Sequence, residues 1–286
     1  MSTVYDVAVV GSRGFLGSAV AAELERRGAL VGGFTKDRPY VTDGELTEPA
    51  NTVVWAVSHV TPADPTRGDE ALGELARLVD AARRSGHLPH VVLLSSGGAV
   101  YGPPSVPPFG EAESPSPANE YGRIKLAEEL MLADADVPHT VLRISNPYGP
   151  AQAQRVGRPA SGQGVVGHWL AAVHTGQPVT IFGDGSVVRD YVFIDDAAGA
   201  IATAVERRAG GVINVGSGTG TSLAELLDVV TAAVAPQPVD VRREPARGVD
   251  PAAAYLDVTR AREVLEWSVT TPLAEGIART WAAVNS

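Results

Sequence analysis

The 286-residue sequence contains no cysteine, which excludes disulfides, thiolate nucleophiles and every sulfur-ligated metal site. It is almost without lysine: only Lys36 and Lys125 occur, and the other 21 of the 23 basic residues are arginines. A chain that uses arginine by default keeps a lysine where a compact, titratable ammonium ion has a task, so both positions invite inspection. No apolar run approaches the roughly 18 to 20 residues that span a bilayer, although 44% of the residues are hydrophobic. The start, MSTVYDVAVV, lacks the basic-then-apolar pattern of a signal peptide, so the cytoplasm is the expected compartment. Positive charge is scarce too. A net charge of −10 argues against a nucleic-acid partner, because phosphate backbones require a basic field; a local basic pocket for a small anion stays open. The six histidines, at positions 59, 87, 90, 139, 168 and 174, form no close pairing of metal-site type, so no metal is expected.

What is present is an alternation of β-branched runs with amphipathic segments, the pattern of βαβ units around a parallel sheet. Strands are predicted at 4–10, 29–34, 52–57, 90–95 and 139–144, with helices near 15–27, 68–86 and 119–134. The interval between the second and third strands is too short for a helix, a strand and a second helix. One crossover is therefore trimmed, with a short strand near YVTD (40–43). After Gly149-Pro150 the segment 151–164 is small and polar, as expected of a loop on the substrate side. A helix at 165–175, strands at PVTIF and VINVG, a helix from near Asp195, and helices at 222–234, 259–266 and 272–284 complete the reading. The expected architecture is a Rossmann-type doubly wound α/β sheet. Residues 1–150 form its core, rejoined by about 188–216, and residues 151–187 and 217–286 form a smaller substrate lobe.

GSRGFLG follows the first strand and opens the first helix, with Gly11, Gly14 and Gly17 spaced as GxxGxxG. Glycines there permit a tight turn and close backbone approach to a diphosphate, and the helix N-terminus offers N–H groups to the anion. Gly11, Ser12, Arg13, Gly14, Phe15, Leu16 and Gly17 are thus candidate cofactor residues, joined by Ala56, Val57 and Ser58 at the end of the 52–57 strand. NAD-specific sites carry an acid at the end of the second strand. Here Thr35 stands at that place, with Lys36 and Arg38 beside it, and Asp37 restores the acid only through a one-residue slip. Three cations, Arg13 included, suit a 2′-phosphate, so NADPH is expected ahead of NAD.

In EYGRIKLAEE, Tyr121 and Lys125 are four apart and share a helix face. A phenol of ordinary pKa, about 10, is a poor acid or base at neutral pH, and a neighbouring ammonium ion favours its ionised form. Such a pair moves a proton while a nicotinamide moves a hydride.

With GSRGFLG, SSGGAVYG, EYGRIK, RISNPYGP, GDGSVVRDYVFIDD and YLDVTRAREVLEW in this order, the chain resembles the extended short-chain dehydrogenase/reductases, in particular the NAD(P)-dependent epimerase/dehydratase group acting on nucleotide sugars. The resemblance implies Tyr121 as proton donor or acceptor and Lys125 on the nicotinamide ribose. It also implies a diphosphate sugar substrate contacted by Asn146, Arg189 and Arg247, and a homodimer formed through helices that include the one bearing Tyr121. One position departs from the family. The usual catalytic hydroxyl, three places before Val100, is Gly97, with Ser96 one residue early. Ser96, a water or another substrate-side residue is expected to fill that role, with Ser96 and Gly97 at the substrate. The acidic pair of dehydratases is replaced by Gly98 and Ala99, which disfavours dehydration. Three functions remain. NADPH-dependent reduction of a nucleotide-linked 4-keto-6-deoxy sugar is preferred, 4-epimerisation with tightly held NAD is the alternative, and a non-catalytic NADP-binding regulator is the reading from another class.

Overall fold

The computed structural model describes residues 4–150, 164–246 and 251–285. The first half runs β1 (Tyr5–Val10), α1 (Phe15–Arg26), β2 (Val31–Phe34), β3 (Val41–Thr42), β4 (Glu45–Leu46), β5 (Ala50–Trp55), α2 (Gly68–Ser85), β6 (His90–Ser96), α3 (Gly97–Val100), α4 (Glu120–Asp134), β7 (His139–Ile144) and β8 (Asn146–Tyr148). The second runs α5 (Val165–His174), β9 (Val179–Phe182), β10 (Val188–Arg189), β11 (Tyr191–Phe193), α6 (Ile194–Arg207), β12 (Gly211–Val215), β13 (Thr221–Ser222), α7 (Leu223–Val234), β14 (Val241–Glu244), β15 (Ala253–Ala254), α8 (Thr259–Leu265) and α9 (Leu273–Val284).

Six parallel strands form the central sheet in the order β12-β7-β6-β5-β1-β2. The inner strands read as continuous apolar runs because helices cover both faces. Alternate side chains divide between two cores. Val7 and Val9 face the side covered by α1, α6 and α8, while Ala8 and Val10 face Leu75 and Leu78 of α2 and Leu132 of α4. A third apolar cluster joins α5, α7 and α9 around Trp169, Leu226 and Ile277.

The trimmed crossover is real. Residues 35–49 hold only the β3–β4 hairpin, and β2 is the edge of the central sheet. α2 packs against that hairpin, with Arg84 of its last turn donating to the Gly44 carbonyl. The predicted loop at 151–164 falls almost wholly outside the described residues.

Candidate active site

Chain order reverses between β1 and β5, which opens a crevice beyond their C-terminal ends. Gly11 turns there at φ +92°, and a Cβ on it would lie 2.7 Å from the Ala56 carbonyl oxygen. Gly17 packs on the carbonyl of Gly11, where any Cβ would overlap it. Gly14 caps α1 without a side-chain hydrogen bond, so the first N–H groups of this 12-residue helix face the crevice uncapped. A backbone cradle that a side chain would fill, ending on a helix N-terminus, fits a dinucleotide diphosphate.

A cleft of about 540 Å³ opens at this point, lined by Gly11, Arg13, Gly14, Thr35, Lys36, Ala56, Val57 and Ser58 among others. The remaining expected cofactor residues stand behind it. Ser12 donates its hydroxyl to the Phe34 carbonyl at 3.3 Å, and Phe15 and Leu16 pack in the third apolar cluster. Arg38 corrects the expectation most clearly. Its guanidinium lies 4.8 Å from the Phe34 ring centroid and bonds Tyr5 Oη, the Gly33 carbonyl and Glu48, away from the cleft. Stacking on an aromatic face and a carboxylate partner suit arginine better than an open loop. Arg13 bonds Asp37 at 3.1 Å on an exposed surface. The trio of cations read from the sequence is therefore not assembled around one point.

The cleft instead receives residues that sequence reading missed. His59 follows β5, and Glu70 and Glu74 stand four apart on α2. His59 Nε2 is 2.7 Å from Glu74 and its Nδ1 is 3.6 Å from Glu70. One ligand atom from each lies within 4.8 Å of the others, a spacing a metal ion accepts. Arg67 already bonds Glu70 through two nitrogens, and Arg77 approaches Glu74 at 3.9 Å. The i,i+4 carboxylates were the available signal, since a helix must bring them to one face.

α4 starts where Asn119 accepts a hydrogen bond from the Gly122 N–H at 2.9 Å. Gly122 lets this helix press on α3: a Cβ would overlap the Ala99 carbonyl oxygen and lie 2.8 Å from Pro117 Cβ. Tyr121 is half-buried against Val60, Ala71 and Ile124, and Val60 directly follows the cleft residue His59. Lys125 is 3% exposed, and its Nζ donates to Glu128 Oε2 at 2.6 Å, with Glu128 itself 1% exposed. Burial opposes the charge on Lys125, but the carboxylate of Glu128 and then the phenol of Tyr121 outweigh it, so its pKa lies above the ordinary lysine value. Glu128 is a partner absent from the sequence reading, although its i,i+3 spacing was visible.

At the end of β6 the serines separate. Ser95 Oγ donates to Glu129, which also accepts a bidentate pair from Arg143, all of it buried. Ser96 is half-buried, and its hydroxyl is committed to no hydrogen bond among the described residues. The chain turns into α3 at once, and the two glycines face different ways. A Cβ at Gly98 would point toward Asn146 Nδ2, 3.9 Å away, but one at Gly97 would meet Leu256 Cδ1 at 2.6 Å and the Arg143 carbonyl at 3.0 Å. A side chain at Gly97 would thus press on Leu256 and on the Arg143 carbonyl before it reached open space. Gly97→Ser is expected to destabilise by about 1–3 kcal/mol through overpacking and to raise no activity; thermal unfolding and turnover check both. Tyr101 is structural: its hydroxyl donates to Asn214 at 3.0 Å, and its ring stacks on Phe109.

Asn146 donates Nδ2 to the Asp190 carbonyl at 2.8 Å. Arg189 bonds the carbonyls of Val188 and Pro251. Asp190 is engaged elsewhere by Ser217, Gly218 and Leu256, and Asp195 by Arg279. Arg247 lies outside the described residues.

Residues 7–216 match the family model described as NAD dependent epimerase/dehydratase. The UDP-glucose 4-epimerase of Mycolicibacterium smegmatis is 41% identical over 211 residues, covering 71% of this chain. The chain spans 64% of the length of that relative. Among solved structures, the UDP-glucose 4-epimerase of Thermotoga maritima with UDP-glucose is 28% identical, with a TM-score of 0.86 and 99% of each chain covered. That of Thermus thermophilus in complex with NAD is 26% identical, with a TM-score of 0.82 and the same coverage.

Proposed function

Because the chain belongs to the NAD dependent epimerase/dehydratase family, we propose that it is a nucleotide-sugar 4-epimerase with NAD in the glycine-loop cleft. The observation that carries this reading is the buried Lys125–Glu128 pair on the helix that bears Tyr121, which packs against α2 and against Val60 in the segment that leads away from the cleft after β5. Bound NAD would supply a hydride acceptor that is also a donor. Tyr121 takes the proton of the sugar 4-hydroxyl as hydride leaves C4 and returns it when hydride comes back to the other face. Lys125 keeps a positive charge beside the phenol, and Ser96 offers its uncommitted hydroxyl to the sugar.

The similarity to UDP-glucose 4-epimerases favours a UDP-hexose as substrate. Asn146, Arg189 and Arg247 are its proposed contacts, residues 151–187 and 217–286 its binding lobe, and a cytoplasmic homodimer the proposed assembly. Among the described residues no helix is long and apolar enough to cross a membrane. NAD is preferred over NADPH because Arg38 turns away from the cleft and two carboxylates enter it. Lys36 and Arg13 at the cleft support a second reading, NADPH-dependent reduction of a 4-keto-6-deoxy sugar nucleotide. The two separate on the purified protein. The expected result is release of NAD on denaturation, together with conversion of UDP-glucose to its 4-epimer without added cofactor. NADPH oxidation with the keto sugar, in the absence of epimerisation, would establish the reductase instead.

A further inference from the structure

The end of β2, where an NAD site carries an acid, holds Thr35, a hydroxyl without charge that lines the cleft. The nearest acid in sequence has left: Asp37 is held by Arg13 at 3.1 Å, its side chain 83% exposed and outside the cleft wall. The described carboxylates that line the cleft come from α2, Glu70 and Glu74. They stand on the first turns of α2 and share the cleft wall with Thr35 and Lys36 beyond the end of β2, the edge strand of the central sheet. Of the two, Glu70 lies close enough to Lys36, two residues beyond β2, for the charges to act on each other. Glu74 is drawn instead to His59 Nε2 at 2.7 Å.

Glu70 has two neighbours that orient it. Arg67 donates to it through Nε at 2.5 Å and through Nη2, and His59 Nδ1 stands 3.6 Å away. Hydrogen bonding from Arg67 holds its carboxyl below the ordinary glutamate range, so it is ionised at neutral pH. Each carboxylate oxygen keeps an acceptor site beyond the one Arg67 uses. We infer that Glu70 replaces the strand-end acid of an NAD site, accepting hydrogen bonds from the adenosine ribose hydroxyls and repelling a 2′-phosphate. The neighbouring cations have partners of their own: Arg13 is turned to Asp37, Arg67 is engaged by Glu70, Arg77 faces Glu74, and the charge of Lys36, beside Thr35 in the cleft wall, acts on Glu70 itself.

The inference rests on the reading above only in placing a dinucleotide in this cleft, and its test needs no sugar. The full chain is equilibrated with equal concentrations of NAD and NADP, and the nucleotides it retains are released and quantified. The wild type is expected to retain NAD in excess. Glu70→Gln is expected to narrow the NAD/NADP ratio by about tenfold to a hundredfold, the worth of a charged hydrogen-bond acceptor. Glu70→Arg, at a position 40% exposed where a long side chain fits, is expected to turn the ratio toward NADP, while Asp37→Asn leaves it unchanged. An unchanged ratio in both Glu70 variants overturns the inference, as does a shift confined to Asp37→Asn or a wild type that retains NADP. Retention of NAD that depends on Glu70 without any epimerisation would overturn the proposed function and leave this inference standing. Epimerisation with a ratio indifferent to Glu70 would do the reverse.

Discussion

Tyr121→Phe is expected to fold, bind dinucleotide as the wild type does, and turn over about a thousandfold more slowly. The ring packs against Val60, Ala71 and Ile124, and phenylalanine keeps those contacts, so the melting temperature should stay close to that of the wild type. What is lost is the one hydroxyl on this helix face beside the Lys125 cation. General acid–base catalysis by a placed side chain is worth about 10²–10⁴ in rate. The neighbouring hydroxyls of Ser95 and Tyr101 are bonded to Glu129 and Asn214. A variant that keeps more than a tenth of the wild-type kcat would remove Tyr121 from the chemistry.

Glu128→Gln is expected to be the most destabilising of the conservative changes, at about 3–5 kcal/mol. Glutamine keeps the shape but leaves the ammonium of Lys125, 3% exposed, without its counter-charge. The pH dependence carries a sign that separates this cause from lost packing. In the wild type the folded pKa of Lys125 lies above the unfolded value, so its contribution is complete below pH about 10 and is lost as pH rises through the folded value. In Glu128→Gln burial, the largest influence on Lys125, is opposed only by the Tyr121 phenol and Glu129, and the folded value is expected to fall below the unfolded one. The folded state then binds fewer protons, and its stability rises with pH up to the unfolded value. The deficit against the wild type should therefore narrow between pH 7 and 9.5, as read by urea unfolding at both. A deficit that stays constant would mean that the pair is not charged as drawn.

Much of the scaffold was legible in the residues because the central strands are buried on both faces and must be apolar throughout. β7 and the long helices α2 and α4 lie within a residue of where the pattern put them. The two-residue and three-residue strands β10, β11, β13 and β15 have no periodicity of their own and exist through partners distant in sequence. The candidate site divides along the same line. Gly11, Gly14, Tyr121 and Lys125 could be singled out in the sequence because backbone demands and helical spacing are local. Arg38 was misplaced because its carboxylate partner, Glu48, lies across the hairpin and holds it over the Phe34 ring. Gly97 read as a missing hydroxyl because nothing local announces Leu256. His59 and Glu70 went unread because they meet only where the segment after β5 and the first turns of α2 line one cleft.

The central claim is that one site removes hydride from C4 of the sugar and returns it while Tyr121 holds the proton. It is tested most directly with UDP-glucose carrying deuterium at C4, incubated with the purified protein and followed by NMR. The account predicts a 4-epimer that keeps its deuterium, since the label never leaves the closed site. Loss of the label to solvent, or no epimer at all, would contradict it.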